Sequence, residues 1–498
     1  MTAPRPLNER TLAHHGARVA VPTYDRRALT PSVVHISVGS FHRSHQAVYF
    51  DDLAEHRISR GWGLVGVGLH RREMRDALSA QDGLYTVVAR GRDGDEARIV
   101  GVITRYLFAP DQATAVLAAL SDARTRLATL TITAGGYHVE PATGAFDAGD
   151  PDVLADLADP ARPRTAIGYL VEALDRRRGA NHPPLTILSC DNMPGNGAVA
   201  RAAVVAFARM RDDSLAEWID EHVAFPSSMV DRITPKTKPA DREMVERVFG
   251  VRDRWPVMTE PFSQWIVEDH FANGRPPLDR VGAQFVADVR PYALMKTRLL
   301  NASHSALGYL GLLGGHRHTD AAMADPAFGT YIARMMQDEI APLLPPVPGI
   351  DLLAHQATLL ERLGNPAVGD RLSRLCRNGS AKVPRHVLAS IGEARATGRP
   401  HALLTLAVAG WCRYLRGVDE RGRPIALDDP AAERLRVLAL AGGGDPRPLL
   451  ADRATFGSLG DDAAFAQALQ RDLRDLDADG ARAVVAARVT APVPLAAA

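Results

Sequence analysis

The chain has 498 residues, 46% hydrophobic and 23% charged, with a formal net charge of +1. Such a length suits two or three domains, each with its own core, and the charge balance gives neither a nucleic acid nor an anionic membrane surface a reason to bind. The opening stretch MTAPRPLNERTLAHHG lacks the apolar core of a signal peptide and no apolar run is long enough to span a bilayer, so a cytoplasmic protein with a small neutral or mildly anionic ligand is expected.

In chain order, the first 290 or so residues alternate short β-branched runs with helical patterns: VVHISVG from residue 33, GLVGVGL from 63, TLTITAGG from 129 and LTILSC from 185. This alternation predicts a parallel sheet wrapped by helices, and the further runs LYTVVARG and ARIVGVITRYLF predict a decorated sheet rather than a minimal one. The segment VVHISVGSFHRSHQAVYFDDL reads as strand, tight turn and helix, the geometry that offers backbone N–H groups to a pyrophosphate. Its fingerprint is degenerate, because only Gly39 survives of the expected glycines while Ser37 and His42 occupy the outer positions. The bland reading is a simple turn. A second strand, GLVGVGL, follows about thirty residues later, where a ribose-contacting residue should stand, and this favours a dinucleotide. The candidate cofactor contacts are Ser37, Val38, Gly39, Ser40, Phe41, His42 and Arg43 in the turn, with His70 and Arg71 after the second strand.

Beyond GAQFVADVRPY, strand signals fade and helical periodicity runs through YIARMMQDEIAPLL, LLAHQATLLERL, HALLTLAVAGWCRYLRG and AERLRVLALA, broken at PPVPG, GGGD and APVP. The fold class is therefore α/β, a Rossmann-like domain with a decorated parallel sheet over 1–290, followed by a mostly α-helical domain over 291–498. A ligand site is expected where the two meet. Cys190, Cys376 and Cys412 form no CxxC pair, and the histidine pairs at 14 and 15, 42 and 45, and 316 and 318 lack an HExxH pattern, so no metal is expected.

ALMKTRLLNASHSALGYLGLLGG, residues 293–315, opens the second domain and places polar groups in a run otherwise fit for a buried helix. At about 100° per residue, Lys296, Asn301 and His304 fall at roughly 0°, 140° and 80°, within one arc. Met295, Leu299, Leu300, Leu307 and Leu310 would pack around it, and a lysine drawn out of water loses proton affinity and can serve as a base. Alternatively, Lys296 snorkels to the surface and the other two are satisfied core polars. Tyr292 and Lys296 also spell the Y-x-x-x-K pair of short-chain dehydrogenases, but the chain is about twice that family's length and lacks its TGxxxGxG turn and upstream serine.

GSFHRSHQAVYFDDL, SCDNMPGNG, FPSSMVDRITP, GAQFVADV and MKTRLLNASHS, in that order, closely resemble the polyol-specific long-chain dehydrogenases, the mannitol dehydrogenase family, from about residue 30 to about 430. The K-x4-N-x2-H spacing matches the family's catalytic signature. The resemblance implies metal-independent hydride transfer between a nicotinamide cofactor and a polyol or ketose, with Lys296 as base, Asn192 and Asn301 donating hydrogen bonds to the reacting oxygen, and His304 placing it. Asp231 and Arg374 match positions that hold distal hydroxyls, although an ordinary ion pair is the rival reading for Arg374. Lys382 and His386 lie in the same segment without an assigned role.

Three departures from the family pattern stand out: Ser37 for a glycine of the nucleotide turn, Ala293 for a glutamate in YExMK, and Asn378 in NGS for DGS. The implied cofactor is NAD. Arg71 and Arg72 precede the first carboxylate, Glu73, so NADP stays open. GGYH and PPVPGIDL favour D-mannitol oxidation to D-fructose over the rival fructuronate reductase, with arabinitol and sorbitol dehydrogenases also open. A non-catalytic sugar-binding protein would require a broken catalytic set, and the set is intact. The expected partner is a small polyol or ketose, in a monomer or small homo-oligomer.

Overall fold

Val33, Val34 and Ile36 are all fully buried, as are Leu64, Val65 and Val67, so these strands are apolar on both faces rather than alternating. That is the mark of a parallel sheet covered on both sides. The computed structural model describes residues 4–140 and 144–490; the first three residues of the opening stretch and the APVP breaker lie outside them. It divides into two compact units, Met1–Arg290 and Pro291–Ala498.

In the first unit, β1 (Pro31–Ile36), β2 (Gly63–Gly68), β3 (Tyr85–Gly91), β4 (Gly94–Val100), β5 (Ile103–Phe108), β6 (Leu127–Leu130) and β7 (Thr186–Ser189) follow in order. A five-stranded parallel sheet is ordered β5-β2-β1-β6-β7, a Rossmann arrangement whose order reverses between β1 and β6. Alternate residues of each strand feed two cores. Val34, Val65, Ala128 and Ile187 pack with Leu117, Leu170 and Val204, whereas Val33, Leu64, Leu127 and Leu188 pack with Phe50, Leu53 and Trp265.

The decorating strands form sheets of their own. The antiparallel hairpin β3–β4 joins β9 (Val257–Thr259), while β8 (Ser228–Asp231), β10 (Gln264–Glu268) and β11 (Gln284–Val286) form a third sheet with β10 central. Of ARIVGVITRYLF, only the ITRYLF part enters the parallel sheet. The run expected from residue 129 starts earlier, at Leu127, and leaves the sheet at Leu130. The cause is local: the N–H groups of Ile132 and Thr133 bond the Asp191 carboxylate instead of a neighbouring strand, at 3.0 and 2.8 Å.

The second unit is helical. Helices Ala302–Leu313 and Ala402–Tyr414 are buried along almost their whole length, and Gly410 lets them approach: a Cβ there would stand 2.6 Å from Leu310 Cδ2. Helix Ala463–Asp479 packs on the second of these. Among the described residues, π-turns interrupt the helices at Thr297–Asn301, Met335–Ile340 and Pro384–Leu388. No helix among the described residues is long and apolar enough to cross a membrane.

Candidate active site and nucleotide turn

In open α/β sheets, ligands bind beyond the carboxyl ends of the strands where the order reverses, here at β1 and β6. Ser37 follows β1 with φ +74°, a left-handed conformation that glycine adopts without strain and that an L side chain resists. The serine thus keeps the backbone shape of the missing glycine. Ser37 and Val38 both donate their N–H groups to Val67 O, at 2.8 and 3.1 Å, so neither amide is available to a ligand. Close packing of this turn on β2 explains a glycine in GLVGVGL, since a Cβ at Gly66 would stand 2.8 Å from Val38 Cγ2. Past Gly39, the helix Ser40–Ser44 begins, and the amides of its first turn have no intrahelical acceptor. Ser40 and Phe41 are half-buried, whereas the side chains of His42 and Arg43 are fully buried beneath the turn. Any part those two play is exerted from below.

Thr131 Oγ1 donates to Ser37 O at 2.9 Å, and His35 bridges Thr129 and Thr131 at 2.8 and 3.0 Å, so the reversal point is pinned from both strands. After β2, His70 and Arg71 are exposed. Arg72 and Arg75 are committed to Asp111 at 2.9 and 2.6 Å and lie over the Phe108 ring, leaving Arg71 as the uncommitted guanidinium of that turn.

SCDNMPGNG caps β7. Asp191 is buried and accepts from Ile132 N, Thr133 N and the Tyr137 hydroxyl, and burial raises its carboxyl above the usual range. Asn196 ties the same loop to β8, donating to Asp191 O and Ser228 O and accepting from Ser228 N, each at 2.9 Å. Between these clamps, Asn192 is exposed at the strand end. Asp231 ends β8 and is buried. The sequence reading passed over Asp191 and Asn196, although both stand in a motif it singled out.

In the second unit, Lys296 ends helix Arg290–Lys296 and is 7% exposed, so it does not snorkel. Met295, Leu299, Leu300, Leu307 and Leu310 are buried as well. The π-turn Thr297–Asn301 follows at once. A π-turn takes up about one extra residue, which rotates everything downstream back by roughly 100°. Asn301 then lies within about 50° of Lys296 and His304 almost over it, a narrower arc than an unbroken α-helix allows. Both are half-buried. Ser305 reaches Asn301 O at 3.1 Å and His386 Nδ1 at 3.5 Å, and His386 sits in the π-turn Pro384–Leu388. Burial, with the nearby charges of Arg385, Lys382, His304 and Lys296, pushes His386 down to about 3, so it is neutral. Burial likewise lowers Lys382.

Tyr292 donates its hydroxyl to Pro348 O at 2.7 Å, which leaves the Y-x-x-x-K spacing without a catalytic meaning. Arg374 forms a two-pronged ion pair with Asp370, Nε to Oδ1 at 2.6 Å and Nη2 to Oδ2, so the ordinary ion pair is present. Asn378 takes φ +52°, a conformation asparagine tolerates better than most residues, and its N–H bonds Asp428 O at 2.9 Å. Among the described residues, no three His, Cys, Asp or Glu side chains stand together as a metal site.

Two family models cover most of the chain: the mannitol dehydrogenase Rossmann domain over residues 31–280 and the mannitol dehydrogenase C-terminal domain over 288–477. A mannitol 2-dehydrogenase of Phaeosphaeria nodorum is 45% identical over 486 residues, 96% of this chain and 85% of that protein. One from Aspergillus fumigatus is 44% identical over 492 residues, 96% and 98% respectively. The structure of Pseudomonas fluorescens mannitol 2-dehydrogenase in ternary complex with NAD and D-mannitol superposes with a TM-score of 0.88 at 40% identity, covering 98% of this chain and all of that one. A substrate-free D-sorbitol dehydrogenase gives a TM-score of 0.90 at 34% identity, covering 97% and 100%. With this pattern in both of its units, the chain belongs to the mannitol dehydrogenase family.

Proposed function

We propose that the protein is a polyol dehydrogenase that oxidises a secondary alcohol of D-mannitol to the ketone of D-fructose, with NAD as cofactor. The observation that carries this reading is the buried Lys296 followed at once by a π-turn that ends at Asn301, with the half-buried His304 in the next turn. The nucleotide turn fits a dinucleotide: its backbone keeps the glycine shape at Ser37, and the first amides of helix Ser40–Ser44 have no acceptor of their own. Bound NAD would supply the hydride acceptor. Lys296 Nζ takes the hydroxyl proton as the C–H bond yields its hydride, and returns it in the ketose-reducing direction. Asn301, and by the family resemblance Asn192, donate to the oxygen, which gains negative charge as its proton departs. His304 orients the same oxygen, while Asp231 suits a distal hydroxyl because a carboxylate accepts from two vicinal O–H groups. Arg374 would hold a further hydroxyl only with the part of its fork that Asp370 leaves open. His70, Arg71 and the 37–43 segment form the cofactor end of the assignment.

A monomer or small homo-oligomer in the cytoplasm completes the reading, supported by three buried free thiols, Cys190, Cys376 and Cys412, suited to a reducing compartment. The test is a substrate panel with NAD. D-mannitol should exceed D-mannonate in kcat/KM, and D-sorbitol belongs in the panel because of the similarity to a D-sorbitol dehydrogenase. A preference of about tenfold or more for the hexonate would assign the protein to fructuronate reduction instead.

A further inference from the structure

Arg43 is fully buried directly beneath the nucleotide turn, and no carboxylate among the described residues pairs with it. Its Nη1 donates to Trp255 O and its Nε to Gly39 O at 3.4 Å, whereas Nη2 has no hydrogen-bond partner. The guanidinium lies 5.2 Å from the centroid of the Tyr85 ring, whose hydroxyl donates to Arg43 O at 2.8 Å. Asp253 is near enough for its charge to be felt, but its oxygens are taken by Gln81 Nε2, Thr86 N and Trp255 N. The neighbouring imidazoles add no charge. His42 stacks on His35 at 3.3 Å between centroids, neither of its ring nitrogens has a partner, and burial holds both rings neutral.

An ion left this way carries a desolvation cost that two carbonyls and a ring face offset only in part. A charge kept in such a place suits a counter-ion that comes and goes. The geometry also has a direct consequence for the turn. In a planar trans peptide, the C=O of Gly39 and the N–H of Ser40 point in opposite directions. Gly39 O accepts both the Arg43 backbone N–H at 3.3 Å and the guanidinium Nε–H at 3.4 Å, so it points inward and the Ser40 amide points outward.

We infer that Arg43 is a positioning residue for the cofactor diphosphate: it never touches the ligand, fixes the Ser40 amide outward through Gly39 O, and has its buried charge completed by the pyrophosphate on the far side of the turn. This rests on the assignment of NAD to the turn. The ligand feature it recognises is the diphosphate, not the adenine or the nicotinamide.

The experiment uses the full chain and its variants Arg43→Met and Arg43→Lys, with dissociation constants for NADH, ADP-ribose and adenosine by calorimetry and the ligand-free melting temperature. Arg43→Met should weaken NADH and ADP-ribose by about tenfold or more and adenosine by less than about twofold, with the ligand-free midpoint level or raised because an unpaired buried charge has gone. Arg43→Lys, which keeps the charge but loses the planar fork, should fall between. Equal weakening of adenosine and ADP-ribose, or unchanged NADH affinity, overturns the inference. If Arg43→Met does not fold, Arg43→Lys decides by the same comparison: a selective loss of the diphosphate ligands supports it and a uniform or absent loss rejects it. A wild-type protein that binds neither NADH nor ADP-ribose would instead remove the cofactor assignment itself.

Discussion

At the scale of single residues, Ser37 separates backbone shape from side-chain identity. Its φ of +74° costs an L residue about 1–2 kcal/mol, while glycine would add back about 0.5–1 kcal/mol of unfolded-chain entropy. Ser37→Gly should therefore stabilise the protein by up to about 1 kcal/mol, raising the unfolding midpoint by about 1–3 °C, and leave NADH affinity at least as tight. A lower midpoint would show that the hydroxyl contributes something the backbone does not reveal. From the proton-transfer role proposed for its amine, Lys296→Ala should reduce kcat by about 10²-fold to 10⁴-fold while far-ultraviolet circular dichroism and NADH affinity stay near wild type. Retention of more than about half of the turnover at saturating substrate would remove Lys296 from the mechanism. Lys296, Asn301 and His304 were legible because helical spacing is a local property of the chain. The partners of Arg374 and Arg72 were not, since Asp370 and Asp111 reach them through backbone conformation and chain folding that charge patterns leave open.

Among the elements, helix Ala402–Tyr414 shows what a buried helix start requires. The amides of Leu403 and Leu404 both donate to the Glu339 carboxylate at 2.8 Å, satisfying orphan donors inside the unit. Burial nevertheless outweighs those two bonds and pushes the carboxyl from its ordinary 4.5 up to about 7. A carboxyl raised in the folded state holds a proton that the unfolded chain has already released, so its contribution falls as pH rises from about 4.5 to 7 and is level above. The span corresponds to roughly 3 kcal/mol. Denaturant titrations of wild type and Glu339→Gln should give a stability difference that moves against the wild type by that order between pH 4.5 and 7.5; a difference constant across this range would show that the group titrates normally. The strands of the parallel sheet were readable as apolar runs, but not the π-turn at Thr297–Asn301. Leu299 and Leu300 continue the apolar helical run, and nothing local to Thr297–Asn301 marks the wider turn, so the sequence reads as one unbroken α-helix there.

For the whole molecule, a net charge of +1 offers no long-range field to sort NAD from NADP, whose 2′-phosphate adds negative charge. The choice is then local. With Arg72 held by Asp111, Arg71 is the guanidinium left to pair with that phosphate. NADP should be accepted at a measurable rate beside NAD, and Arg71→Ala should lower kcat/KM for NADP more than for NAD. A wild-type preference for NAD beyond about a thousandfold, unchanged in Arg71→Ala, would show that Arg71 does not read the phosphate. The sequence by itself determined the α/β class, the change to helix near residue 290 and the polar arc beginning at Lys296, because hydrophobic period and motif spacing are written along the chain. Only the tertiary structure decided that β3 and β4 leave the main sheet, that a π-turn separates Lys296 from His304, that Ser37 adopts a glycine conformation and that Arg43 lies without a carboxylate partner under the turn. Each of these depends on which groups, distant in sequence, compete for the same hydrogen bonds and the same buried space, and that competition exists only once the chain has folded.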